Sequence, residues 1–254
     1  MRAAFVLASA VVAVSVGVAC TSFTADPSAS DDDGGVEAGS VAEAGPEIDA
    51  KADAGPPPPG PSCREILDQH PERAGLDGPY PLSTDAGPTL AYCDMSVAGG
   101  GWTLVGRSAV GASSTDFGWS KKTGDVTKLE YPYSLGVVAL GITFGEILVA
   151  ERNPKGGVGE VAFRFEAKAG FLAAVNASIE IRPVVHVRGP CNPAGGPSMM
   201  RYAGATSLNN TFFLRDVAGT DIRNGLRADG WNLTAGDCGR NATLDGKQGV
   251  VLVR

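Results

Sequence analysis

Apolar residues in this chain gather into short runs separated by glycine, proline and small polar residues, rather than into long stripes at helical spacing. Runs of four to eight aromatic and β-branched residues bounded by turn formers read as strands. Thr89 to Met95 and Trp102 to Arg107 fit that description and are joined by a glycine stretch. VAFRFEA (161–167), ASIEIRPVVHVRG (177–189) and QGVVLVR (248–254) are the clearest strands, and a further one is expected near Glu146–Ala150. Helical signals are few. SCREILDQHPERAG opens with Ser62 as N-cap and Glu65 in capping-box position, and closes on Pro71 and Gly75. A second helix is expected near Ser134–Leu140. The pattern predicts an α+β domain built on a mixed, mostly antiparallel β-sheet, with short helices and long loops. ADGWNLTAGDCGRNATLDGKQG (228–249) is polar and glycine-rich with no periodicity, and loops of that length in a domain are usually functional or crosslinked.

The first quarter of the chain follows different rules. Met1-Arg2 and the uncharged small-residue run Ala3–Ala19 read as a secretory signal peptide, the alternative being a retained anchor. Cys20 in VGVAC resembles the lipidated cysteine of a bacterial lipobox, although Gly17 stands where a branched residue is usual. An acyl group there would hold the chain at a membrane without a spanning helix. An ordinary signal with an incidental cysteine is the alternative. Residues 21–62 hold nine acidic residues and one lysine and end in GPPPPGPS, too little apolar surface to offset the entropy of ordering. The segment reads as a disordered linker, with an r.m.s. span of about 35–40 Å as a flexible coil. The domain is therefore expected to occupy 63–254.

That division explains the charge. The linker carries a net −8, whereas residues 63–254 contain nineteen acidic and nineteen basic residues. The overall −7 belongs to a stalk and not to a binding face, and no basic patch points to nucleic acid. Beyond Cys20, the four cysteines Cys63, Cys93, Cys191 and Cys238 form an even number in a chain bound for an oxidising compartment. Three pairings exist. Cys63–Cys93 and Cys191–Cys238 are favoured because each is local to one end of the domain, and no C-x-x-C spacing suggests zinc or redox chemistry.

Three motifs, SCREIL, then YCDM, then GGGWTLVGR, resemble the opening of the fibrinogen C-terminal-like domain. TDFGWSKKTGD and EYPYSLG extend the likeness to about residue 136. The resemblance implies that family's fold, its first disulfide at Cys63–Cys93, and a recognition role without catalysis. The second half departs from it. No Asp-x-Asp calcium loop follows residue 94, Cys191 and Cys238 stand 47 positions apart, and only DGWNLTAGDCGRN resembles the family's pocket strand.

Candidate chemistry is correspondingly thin. Gly99–Gly101 lead into a strand with no Gly-Lys-Ser/Thr nearby, so they read as turn scaffold and not as a phosphate loop. His70 sits at an exposed helix end and His186 within a strand; no G-x-S-x-G elbow exists, and no carboxylate pair is singled out for glycoside hydrolysis. Asp216, Asp221 and Asn224 could offer oxygen ligands to calcium, but their spacing fits surface turns better. Trp231, Arg240 and Asn241, beside Cys238, are the candidate ligand contacts: an exposed ring flanked by amide and guanidinium suits a sugar or an acetylated group, with a loop-packing tryptophan as the alternative. Four N-x-S/T sequons, at Asn176, Asn209, Asn232 and Asn241, matter only in a eukaryotic secretory pathway. The expected partners are an extracellular glycan, acetylated ligand or protein, and a membrane through the lipid. The expected location is the bacterial envelope or cell surface.

Overall fold

Ser62 caps the one α-helix among the described residues, α1 (Cys63–Gln69), its side chain accepting a hydrogen bond from the Glu65 amide at 3.1 Å. This is the N-cap that the sequence calls for. A short 3₁₀ turn, Pro71–Arg73, follows. The computed structural model describes residues 55, 57–112, 118–168, 177–181, 183–189, 198–203, 211–215, 224–232 and 246–254. All of them lie in one compact unit, Asp49–Arg254. The proposed signal, Cys20, nearly all of the acidic linker, and Cys191 and Cys238 fall outside the described residues.

Thirteen strands are described, and every pairing between them is antiparallel. They are β1 (Gly78–Thr84), β2 (Gly87–Asp94), β3 (Trp102–Arg107), β4 (Tyr133–Ser134), β5 (Glu146–Arg152), β6 (Val158–Glu166), β7 (Ala177–Ile181), β8 (Val184–Arg188), β9 (Ser198–Ala203), β10 (Thr211–Arg215), β11 (Asn224–Arg227), β12 (Gly230–Asn232) and β13 (Gly249–Val253). The larger sheet runs β1-β2-β3-β13-β5-β6-β8, with β4 on β3; the smaller runs β12-β11-β10-β9-β7. The β content matches the expectation, but its helical share is smaller than an α+β label suggests: one seven-residue helix and two 3₁₀ turns among the described residues.

The larger sheet is centred on β13, whose five residues are all buried between β3 and β5. Leu252 stands opposite both Leu104 and Leu148. Continuous apolar runs in β3, β5 and β13 are what a strand covered on both faces requires. At one edge, Gly60 bridges to Leu82 and exchanges backbone hydrogen bonds with Pro81 and Ser83. The ordered edge therefore begins upstream of Cys63.

Two expectations need correction. The helix near Ser134–Leu140 is β4 followed by turns. Gly136 takes φ 72, and a Cβ there would stand 2.6 Å from the Lys122 amide nitrogen, so the segment packs backbone against backbone. Leu135, Val137 and Leu140 still reach the core, from turns. Residues 177–189 form two strands in different sheets, β7 and β8, and Pro183 between them has no N–H to continue a ladder.

Candidate functional site

The glycine stretch is scaffold. Asp94 Oδ1 accepts from the amides of Ser96 (3.1 Å) and Val97 (2.8 Å), while Asp77 Oδ1 accepts from the Met95 amide and the Ser96 hydroxyl, both at 2.7 Å. Ala98, Gly99, Gly100 and Gly101 then follow with φ of 47, 89, 68 and 74. A Cβ on Gly100 would stand 2.4 Å from the Met95 carbonyl oxygen, and one on Gly101 would stand 2.9 Å from Arg64 Cα. Glycine is required here for positive φ and for close approach to α1. The chain then enters β3 with Trp102 fully buried, its Nε1 donating to Val97 O at 2.9 Å. Arg254 lies over the Trp102 ring at 4.4 Å, donates to the Ala98 and Gly100 carbonyls, and pairs with Glu146. The Cys63–Cys93 disulfide closes the same corner, Cα–Cα 5.5 Å, joining α1 to the end of β2.

A second polar cluster was not anticipated. Arg107 is 0% exposed, and its guanidinium donates to the carbonyls of Asp125, Val126, Lys128 and Tyr131 at 2.6–3.1 Å. It also lies 5.5 Å from the Tyr133 ring centroid. Arg152 donates to Leu129 O, so two arginines hold one loop by its backbone. Desolvation, then the neighbouring Arg152 charge, lowers the pKa of Arg107. Four carbonyl dipoles take the place of a counter-ion. The sequence signal was an arginine ending a strand with no exposed position.

Of the expected ligand contacts, Trp231 alone lies among the described residues. Trp231 is 3% exposed, with its Nε1 directed at Ala150 O at 3.3 Å. It packs beside Gly249, where a Cβ would stand 2.7 Å from Trp231 Nε1 and 2.2 Å from Leu226 Cδ1. The exposed ring is thus corrected to a core ring: β12 pairs with β11 and turns Trp231 and Leu226 onto β13. Arg240, Asn241, Asp216 and Asp221 fall outside the described residues, as do Asn176 and Asn209. Asn224 pairs with Leu214 and Asn232 with Gly225 in the smaller sheet.

Among the described residues, no three His, Cys, Asp or Glu side chains gather in a way that could hold a metal. His70 is half-exposed beside Glu72, at 3.1 Å. His186 is partly buried against Phe163, with ring centroids 5.8 Å apart. Neither has a nucleophile as partner in the described structure.

Two of the clefts lined by described residues lie on the larger sheet. One, about 480 Å³, lies between α1, the β1–β2 turn and residues 140–145, with Arg64, Glu65, Asp85 and Arg254 on its walls. Its two guanidiniums are paired, Arg64 with Asp68 and Arg254 with Glu146. The other, about 460 Å³, lies between the start of β1, Tyr92, residues 126–129 and the β5–β6 turn.

These observations define a disulfide-closed, antiparallel β domain whose buried charges are fastened to its own backbone. No protein-family model matches the chain. Among solved structures it is similar to the fibrinogen-like globe domain of human ANGPTL6, at TM-score 0.40 and 16% identity, over 78% of this chain and 96% of that one. It is also similar to the fibrinogen-like globe domain of human ANGPTL2, at TM-score 0.38 and 14% identity, over 77% of this chain and 99% of that one.

Proposed function

We propose that the chain is an envelope-tethered recognition module. A lipid on Cys20 anchors it, the acidic linker extends it, and the domain binds a glycan, an acetylated group or a protein without catalysis. The observation that carries this reading is the use made of buried and half-buried charge. Arg107, Arg152, Arg254 and Asp94 are each engaged with backbone amides or carbonyls, which builds a stiff frame rather than a proton-transfer site. On such a frame ligands are met by loops. Arg240 and Asn241 are the proposed contacts, and Trp231, the third residue of the expected site, is buried. Calcium, if used, would be held by Asp216 and Asp221.

The test is full-length protein in vesicles, screened against glycan and acetylated-compound arrays with and without calcium. Binding that Arg240→Ala weakens supports the reading, and no ligand in either condition contradicts it. Conversion of Cys20→Ser to an unlipidated form, read by mass, tests the anchor. A second reading, a structural envelope lipoprotein that keeps the scaffold and has lost the pocket, is favoured by the burial of Trp231. It predicts a melting temperature insensitive to calcium. An envelope hydrolase is the third and least supported reading, and a turnover abolished by one carboxylate substitution would revive it.

A further inference from the structure

The 460 Å³ cleft carries groups that the scaffold does not use. Tyr92 on β2 is only 7% exposed and lines this cleft. The oxygen sits over Gly157, where a Cβ would stand 2.7 Å away, so the bare glycine makes room for it. Asp77 lines the same cleft. Its Oδ1 is saturated by the Met95 amide and the Ser96 hydroxyl, whereas its Oδ2 has no partner among the described residues.

Across the opening, Lys155 stands in the β5–β6 turn. Asn153 Oδ1 fixes that turn by accepting from the amides of Lys155 (2.8 Å) and Gly157 (3.1 Å). The Lys155 ammonium makes no ion pair within the described residues. One carboxylate and one ammonium, both on exposed residues, therefore line a single cleft without joining each other, and Pro79, Val126 and Leu129 add apolar wall to it. A cleft with zero net charge but separated poles is matched by a ligand carrying the opposite arrangement.

We propose that this cleft binds a small zwitterion, a free α-amino acid or short peptide, with its ammonium on Asp77 and its carboxylate on Lys155. The Tyr92 hydroxyl donates to the ligand's carboxylate or carbonyl, and the apolar wall receives its side chain. The site is separate from the loop invoked above and stands whether or not that loop binds a glycan.

The test uses the detergent-solubilised full chain and saturation-transfer NMR against the twenty amino acids and a set of di- and tripeptides, followed by calorimetry on those that bind. Binding is expected to fall about tenfold or more in Tyr92→Phe, which removes one hydroxyl, with the melting temperature unchanged. Lys155→Met is expected to do the same, and N-acetylated or C-amidated versions of the ligand should bind more weakly than the zwitterion. The proposal is overturned if none of these compounds gives saturation transfer. It is equally overturned if both variants bind as the parent does, or if blocking either end of the ligand changes nothing.

Discussion

Trp102 and Trp231 meet the same fate by different routes. Both are buried, both direct Nε1 at a backbone carbonyl, and both have glycine close by. For Trp102 the carbonyl belongs to Val97 and the glycines to 99–101, all within five residues along the chain. For Trp231 the carbonyl belongs to Ala150, 81 positions away, and the glycine to β13. A tryptophan whose cage is local declares itself as core. One whose cage is assembled from distant strands looks like a polar-loop tryptophan free to stack on a ligand, and that difference misdirects a reading for function.

The comparison can be broken most forcefully by removing the rings. Trp102→Ala and Trp231→Ala should each cost about 3–5 kcal/mol in urea unfolding, as truncation of a packed aromatic does. Trp102→Ala should cost more, because the Arg254 contact goes with the ring. A change under about 0.5 kcal/mol for Trp231→Ala is what a surface residue would give, and it would end the parallel. Next come the glycines. Gly100→Ala should cost about 3 kcal/mol, since positive φ and a carbonyl oxygen at 2.4 Å act together. Gly249→Ala should cost less, about 1–3 kcal/mol, because it meets side-chain atoms that can shift. Equal losses would show that the Trp231 cage is as rigid as the other.

Removing the disulfide by the Cys63→Ala, Cys93→Ala pair should cost about 3 kcal/mol, close to the loop-entropy figure for a separation of 30 residues.

The smallest effect is electrostatic. Burial raises the pKa of Asp94, opposed by the hydrogen bonds from Val97 and Ser96. The native state therefore holds this proton more tightly than the unfolded chain. Its contribution is fully present below the unfolded pKa and declines as pH rises through the folded one. Asp94→Asn keeps an acceptor for both amides and should change stability by about 1 kcal/mol or less at neutral pH. It should also flatten the slope of stability against pH in the acid range. An unchanged slope would remove Asp94 from the account.

What could be read from the chain follows from the same locality. Ser62 and Glu65 announce α1, Cys63 and Cys93 announce a bridge, and the run from Trp102 to Arg107 matches β3 at both ends. In each case the determining partners are a few residues away, or a thiol seeks the one other thiol near it. The fate of residues 134–140 was not readable, because SLGVVAL is a short apolar run with no clear period, while Gly136 is committed to a contact with Lys122. Arg107 could have been noticed as a charge in an apolar strand, but its four carbonyl acceptors lie 18–24 residues downstream. The cleft around Tyr92 joins residues from 75 to 155 and carries no motif. The burial of Trp231 was not readable either, because its cage comes from Ala150 and Gly249, which lie far from it or in another strand.

The chain has three tryptophans, Trp102, Trp119 and Trp231, which are 0%, 2% and 3% exposed. Acrylamide quenching of the native fluorescence therefore tests the central claim, that these rings build the frame and none is presented to ligand. The account predicts blue-shifted emission and a shallow, linear Stern–Volmer plot until the protein unfolds. A downward-curving plot with a readily quenched fraction that Trp231→Phe abolishes would contradict it.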